Sequence, residues 1–140
     1  MDIYEATQTL LTSAVPENVN VSAYVLTYDE IKQQFILPDF PAVTYNFQTI
    51  TPIVAFGESS DLYRVSLDVE IWGDLEQIDV NAKKVTKAVN AQRVTVGNVE
   101  YTLVVTETRD ITELGLDFKR RFMRFSGLVE IGESGGETSL

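Results

Sequence analysis

Within the stretch from Leu62 to Trp72, apolar and polar residues alternate without a break from Tyr63 to Ile71. Because successive side chains of a β-strand point to opposite faces, this alternation predicts a strand with one apolar and one polar face. The apolar face holds Tyr63, Val65, Leu67, Val69 and Ile71, and the polar face holds Arg64, Ser66, Asp68, Glu70 and Trp72. Such a strand is typical of an antiparallel sheet that is covered on one side only.

Two segments carry the signals of a helix, one from Asp2 to Ala14 and the other from Asp74 to about Asn90. Each begins with an aspartate that has a glutamate or glutamine three positions later, which is the arrangement of a capping box. Apolar residues then recur at spacings of three and four, so each helix has one apolar stripe. The stripes consist of Ile3, Ala6, Leu10 and Ala14 in the first helix and of Leu75, Ile78, Ala82, Val85 and Val89 in the second.

Further strands are predicted before and after the second helix. Residues 43–47 alternate as a half-buried strand does. Gly97-Asn98 supplies the positive φ angles of a two-residue turn, which predicts a hairpin whose second strand continues through Val105. A polar connection over residues 108–117 is then expected to lead into a long final strand, residues 118–131.

These elements predict an α+β fold, a mostly antiparallel β-sheet with two main helices packed on one face. Residues 1–131 are expected to form a single domain, and residues 132–140, rich in glycine and serine, a flexible tail. Residues 21–37 remain ambiguous. Residues 21–25 alternate as a strand would, whereas residues 28–35 are compatible with a short helical turn.

The composition argues against most enzymatic chemistry. Cysteine and histidine are both absent, so thiolate nucleophiles, cysteine zinc sites and imidazole acid–base catalysis are excluded. We expect no catalytic residue, no metal and no cofactor. The rival hypothesis is a small enzyme or ligand-binding domain that uses the carboxylates of Asp68 and Glu70. We favour the simpler interpretation, in which both residues lie on the ordinary outer side of a sheet.

The chain is strongly acidic, with a net charge of −10, and its charge is unevenly distributed. Residues 1–82 hold 13 acidic residues against two basic ones, whereas residues 83–140 hold eight against nine. So acidic a protein is not expected to bind DNA or an anionic membrane. The sequence also lacks a signal-peptide layout and a membrane-spanning apolar run, which favours the cytoplasm as its location.

Two segments are candidates for contacts with other proteins. A basic run in the final strand is interleaved with aromatic residues, and we rank subunit contact first for it, intrachain salt bridges second and nucleic acid last. The predicted loop over residues 51–61 carries apolar side chains that either fold onto the core or dock on a neighbour. The candidate interface residues are Lys119, Arg120, Arg121, Arg124 and Arg64, and the candidate docking residues are Ile53, Val54 and Phe56.

The order of these elements resembles that of the tail terminator (tail-completion) proteins of long-tailed bacteriophages. The resemblance covers roughly residues 3–131 and contains no diagnostic string. It rests on residues 37–45 with their proline-led entry into a strand, on residues 63–74 and the helix that ends at Lys83–Val89, and on the arginine-aromatic run of residues 120–125. It also departs from the family pattern, because the stretch over residues 24–35 is longer than expected and its Asp29-Glu30 pair has no counterpart.

The resemblance implies a structural role at the tail–neck junction of a virion. Members of this family form rings, typically hexamers, that cap the finished tail tube, end its polymerisation and present a surface to the head connector. The partners it implies are further copies of the chain, the tail tube protein and the connector, and DNA passes through the ring without specific binding. An acidic lumen would repel phosphate, and Asp68 and Glu70 are candidates for such a channel or surface. Another neck or head-to-tail connector subunit is the alternative within the same class.

Overall fold

The computed structural model describes residues 2–25, 27–53, 61–112 and 119–132, and these residues form two helices and eight strands. The bounds are α1 Ile3–Ala14, β1 Asn20–Ala23, β2 Thr27–Asp29, β3 Gln34–Ile36, β4 Ala42–Ile53, β5 Asp61–Gly73, α2 Leu75–Val89, β6 Gln92–Val96, β7 Val99–Thr112 and β8 Lys119–Ile131. None of the helices in this part of the chain is long and apolar enough to cross a membrane.

Six of the strands form one sheet, in the order β1-β4-β5-β8-β7-β6. Every neighbouring pair in this sheet is antiparallel except β1 and β4, which run parallel. The strands β2 and β3 form a separate antiparallel hairpin in the connection between β1 and β4. The predicted α+β class and the mostly antiparallel sheet are therefore confirmed.

Both helices pack on the same face of the sheet, and the hydrophobic core lies between the helices and the sheet. The predicted stripe of β5 supplies its centre, since Val65, Leu67, Val69 and Ile71 are almost completely buried. Ile78, Ala82, Val85 and Val89 face this layer from α2. The alternation of β5 and the apolar stripe of α2 thus meet as the sequence predicts, except that Leu75, predicted as the first residue of the stripe, is 53% exposed.

The two predicted helix starts are confirmed at atomic detail. The Asp2 carboxylate accepts a hydrogen bond from the backbone N–H of Glu5 at 2.8 Å. At α2 the capping box is complete, because Asp74 accepts from the Gln77 N–H at 2.8 Å and the Gln77 side chain accepts from the Asp74 N–H at 3.0 Å. Each cap satisfies backbone donors that the first turn of a helix leaves without partners.

Buried hydroxyls tie α1 to the sheet. The hydroxyl oxygens of Thr7 and Tyr101 lie 2.8 Å apart, and the Thr7 hydroxyl also donates to the Ile3 carbonyl. Burial of the Tyr101 hydroxyl raises its pKa to about 12, because the phenolate would lose its hydration. The Tyr45 hydroxyl donates to Gln8 Oε1 at 3.0 Å. These contacts fix the position of α1 over the sheet.

The strands β7 and β8 approach each other closely at Gly127, which has a φ of +156°. A Cβ atom at this position would lie only 2.1 Å from the Thr102 carbonyl oxygen on the neighbouring strand. Since that oxygen belongs to the backbone, it cannot move aside as a flexible side chain can. The glycine is therefore required for the pairing of β7 with β8.

The structure corrects three sequence predictions. The helical turn over residues 28–35 is wrong, because residues 27–36 form the β2–β3 hairpin. The Asp29 carboxylate closes its turn by accepting from the backbone N–H groups of Ile31 and Lys32 at 3.0 and 3.1 Å. Gln33 follows with a φ of 53°, a conformation for which glycine is the usual signal, and glycine is absent here.

The other two corrections lengthen strands. The loop expected from residue 51 is wrong at its start, because β4 continues to Ile53 through a register shift after Phe47. Pro52 is tolerated because β1 pairs with β4 only as far as Tyr45, which leaves the later part of β4 at an edge of the sheet. The connection predicted from residue 108 is likewise wrong at its start, because β7 pairs with β8 as far as Thr112.

Some predictions fall outside the described residues. They include the docking residues Val54 and Phe56 and the proposed tail beyond residue 132.

Candidate interaction surface

The face of the sheet opposite the helices carries a set of cross-strand ion pairs, which we call the arginine ladder. It consists of Arg120 and Arg124 on β8 with Glu70 and Asp68 on β5. Arg124 donates to Asp68 through Nε at 2.7 Å and through Nη2 at 3.1 Å, a bidentate geometry. The Arg120 Nε lies 2.6 Å from Glu70 Oε2.

Strand register explains why these residues meet. Asp68 is directly opposite Arg124, and Trp72 is directly opposite Arg120. Because even-numbered residues of both strands point to the outer face, the acidic strand and the basic strand bring opposite charges together. The hydrogen bond from Arg124 to Asp68 raises the pKa of the arginine. The Asp68 side chain is only 18% exposed, so this pair is partly shielded from solvent.

Aromatic rings continue the ladder on the same face. The Arg120 guanidinium lies 5.3 Å from the centre of the Trp72 ring. Arg109 and Arg124 lie at 5.0 and 5.3 Å from the centre of the Phe122 ring. At these distances a cation is attracted to the face of the ring.

Trp72 anchors one end of this face. Its side chain is completely buried, and its Nε1 donates to Thr44 Oγ1 at 2.9 Å. Phe40 stacks on it with ring centres 6.0 Å apart, and Tyr24 meets it edge-on at 6.4 Å. The connection between β1 and β4 therefore covers the outer face at this end.

The structure distributes the predicted interface residues between two faces. Arg120 and Arg124 belong to the ladder, whereas Arg121 points to the helix side and contacts Asp110 at 2.7 Å and Asp79 at 2.8 Å. These three arginines therefore make the intrachain ion pairs that the sequence analysis ranked second, and subunit contact stays a prediction for them. Lys119 and Arg64 are exposed and form no ion pair with any residue that the structure describes.

The carboxylates of Asp68 and Glu70 face arginines in both cases. Each carboxylate already has a guanidinium as its partner, Arg124 for Asp68 and Arg120 for Glu70. Across the described ranges, no group of three or more acidic residues is placed to hold a metal ion. This arrangement holds two strands in register and presents a surface of balanced charge. A lumen-lining role for these residues stays a prediction.

Sequence reasoning missed two exposed features. The first is the β2–β3 hairpin, whose turn residue Ile31 is 95% exposed. The sequence signal was a single isoleucine between charged and amide residues, in a segment assigned to no strand. The second is a groove between α2 and the sheet, with a volume of about 410 Å³. It combines residues distant in sequence, so no local pattern could reveal it. Its lining residues are Ala82, Lys83, Thr86, Lys87, Val105, Thr108, Arg121 and Met123.

Comparison with known proteins gives a match at the level of the fold. Neither a protein-family model nor a curated protein matches this sequence. Among solved structures, a chain of the structure described as "Virion of native gene transfer agent (GTA) particle" is similar, with a TM-score of 0.58 and 12% sequence identity. The similarity covers 91% of this chain and 94% of that chain. The two chains therefore share a fold over nearly their whole lengths.

Proposed function

We propose that this chain is a structural subunit of a virion. The observation that carries the proposal is the fold shared with a chain of a gene transfer agent virion over 91% of the sequence. The charge-balanced ladder supports it, because the side chains that sequence alone offered as an acid–base pair are occupied by arginines. A surface built in this way suits contact with other proteins better than catalysis.

Within the virion, the role that we propose is the ring that caps the phage tail tube. In this role several copies, six by analogy with tail terminators, end the polymerisation of the tube and offer a surface to the head connector. A ring needs a heterologous interface, in which one patch of a subunit meets a different patch of its neighbour. The exposed hairpin and the groove beside α2 are two such different patches on one chain.

Particles assembled without this chain test the capping role. Interrupting its coding sequence in the producing host should give tail tubes of uncontrolled length and heads without tails, observed by electron microscopy. Restoring the chain from a second copy should return tails of uniform length. Tails of normal length that fail to join heads would instead favour a connector subunit, the second candidate. Complete particles without the chain would contradict both roles.

The enzyme hypothesis has its own test. Replacing Asp68→Asn and Glu70→Gln together removes both carboxylates while the amides keep the shape of both side chains, and assembly of the variant checks that it still folds. A turnover found in the original chain and abolished in this double variant would favour the enzyme.

A further inference from the structure

The β2–β3 hairpin projects from the molecule and packs mainly on itself. Its strands contact each other, and neither makes substantial contact with any other helix or strand of the described chain. Tyr28 and Phe35 cross the hairpin with ring centres 5.1 Å apart and hold it together. A two-stranded hairpin is only marginally stable alone in water, so one that stands free gains stability from a partner.

The tip of this hairpin combines an apolar side chain with negative charge. Ile31 is 95% exposed, and Tyr28 and Ile36 on the flanking strands are each 48% exposed. Glu30 stands beside Ile31 and forms no ion pair with a described residue. An exposed isoleucine next to a free carboxylate is suited to a site with an apolar floor and a basic rim.

The groove beside α2 has this chemistry. Its floor is apolar, formed by Ala82, Val105 and Met123 between the helix and the strands β7 and β8. Lys83 and Lys87 stand on its rim, both exposed and both without an ion pair among the described residues. The volume of about 410 Å³ is sufficient for a branched aliphatic side chain together with part of the chain that carries it.

The positions of the two features in the fold favour a second copy as the partner. The hairpin leaves the sheet between β1 and β4 at one edge, whereas the groove lies over β7 and β8 toward the other edge. When two complementary patches lie on different parts of a subunit's surface, each copy can bind the next in the same way, and the contacts form a ring if the rotation closes.

We propose that the hairpin tip of one copy, with Ile31 as the anchor and Glu30 beside it, docks into the α2 groove of the next copy between Lys83 and Lys87. The inference rests on the proposed function and deepens it, because it assigns the contact that joins the subunits of the ring. The lysines of the groove attract the Glu30 carboxylate, and the apolar floor takes the isoleucine out of water.

Directed disulfide cross-linking tests this contact, since the chain contains no cysteine of its own. One sample carries Lys32→Cys, next to the anchor Ile31, and a second, with a mass tag, carries Thr86→Cys in the groove. The matched control for the second is Ser13→Cys, because the Thr86 and Ser13 hydroxyls each donate to the carbonyl four residues earlier in a helix. Docking should raise the yield of mixed disulfide with Thr86→Cys by about tenfold or more over the control. Equal yields would overturn the proposal.

A charge exchange provides a second readout. The yield of the mixed disulfide should fall when the tip carries Glu30→Lys. It should also fall when the groove carries both Lys83→Glu and Lys87→Glu. When the altered tip is mixed with the altered groove, the yield should be restored. Failure of the combination to recover any yield would contradict a direct contact between these groups. The experiment is informative because mutations at one patch can be repaired only by changes at the patch it touches.

The docking proposal and the ring proposal can fail separately. The Ile31→Asp variant should remain a monomer where the original chain assembles, whereas Leu75→Asp, an equal change at an exposed residue in the first turn of α2, should assemble normally. If both variants and the original chain assemble alike, the docking is wrong and the ring stands. If the original chain does not assemble, the ring proposal and the docking proposal both fail.

Discussion

At the end of α2 the backbone passes through the left-handed region at Ala91, where φ is 57°. This residue follows the C-cap Asn90, and its N–H donates to the Leu103 carbonyl at 2.8 Å. Glycine is strongly preferred at such a position, because a Cβ atom is unfavourable there. The chain therefore accepts local strain where the helix turns into β6.

Replacing Ala91→Gly should raise the free energy of unfolding by about 0.5–1 kcal/mol, since relief of the left-handed strain outweighs the added flexibility of the unfolded chain. The shift in urea midpoint measures it. The control is Ala88→Gly, the same change inside the helix, which should destabilise the protein by about 1 kcal/mol. Destabilisation by both changes would show that Ala91 is not strained.

Arg121 on β8 forms ion pairs with Asp79 on α2 and with Asp110 on β7. The pair with Asp110 makes the stability of the protein depend on pH. The hydrogen bond from Arg121 to Asp110, with the positive charge beside it, holds the pKa of this carboxyl below its usual value. The stabilisation by this pair is therefore complete above the pKa that Asp110 has in the unfolded chain. It is lost as the pH falls through the lower pKa that Asp110 has in the folded protein. Because the Asp110 side chain is 60% exposed, solvent screens the pair.

We expect Asp110→Asn to lower the free energy of unfolding by less than about 1 kcal/mol at pH 7. Below the lowered pKa the variant and the original chain should become equally stable, because the aspartate is then uncharged. Urea denaturation at a series of pH values measures the difference. The control is Asp39→Asn, whose carboxylate makes no ion pair among the described residues and whose replacement should leave the free energy of unfolding at pH 7 nearly unchanged. A difference that grows toward low pH would contradict the account.

At the scale of elements, signals within each segment predicted the helices. Where the strands end depends instead on pairing with strands that are distant in sequence. The capping boxes and apolar stripes lie within the helices themselves, so α1 and α2 were predictable. The strand β5 was predictable because its alternation is unbroken. Strand β4 runs on past residue 51 and β7 runs on past residue 108 because each has a long partner beside it. No short stretch of sequence contains that information.

The capping box of α2 gives the prediction at this scale. Asp74→Ala removes the acceptor for the Gln77 N–H and should lower the free energy of unfolding by about 1 kcal/mol. Asp74→Ser is the control, because a serine hydroxyl can accept the same hydrogen bond and should keep most of the stability. Thermal or urea denaturation compares the variants. A loss as large for serine as for alanine would assign the effect to charge and not to the cap.

For the whole molecule, the uneven charge of the sequence has an explanation inside the chain. Asp68, Glu70 and Asp79 belong to the acidic part, and the arginines that bind them belong to the remainder. Part of this asymmetry thus holds the sheet and α2 together within one chain. Ion pairs within the chain were ranked second for these arginines from the sequence, but which carboxylate each arginine meets depends on the strand register.

The candidate contact between subunits was less predictable. The groove exists only once α2 lies over β7 and β8, so it follows from tertiary packing. The hairpin was obscured because its turn uses Asp29 and Gln33 in place of glycine. Surfaces made by distant residues therefore required the structure, whereas the class of fold did not.

The native mass of the purified chain, measured by light scattering at low and at moderate salt, tests the central claim most directly. We predict a closed assembly of about six chains of 15.7 kDa at low salt, seen as rings in the electron microscope. Moderate salt should weaken it, because the proposed contact between subunits includes exposed charges. A monomer at every concentration and both salt levels, with no rings, would contradict the account.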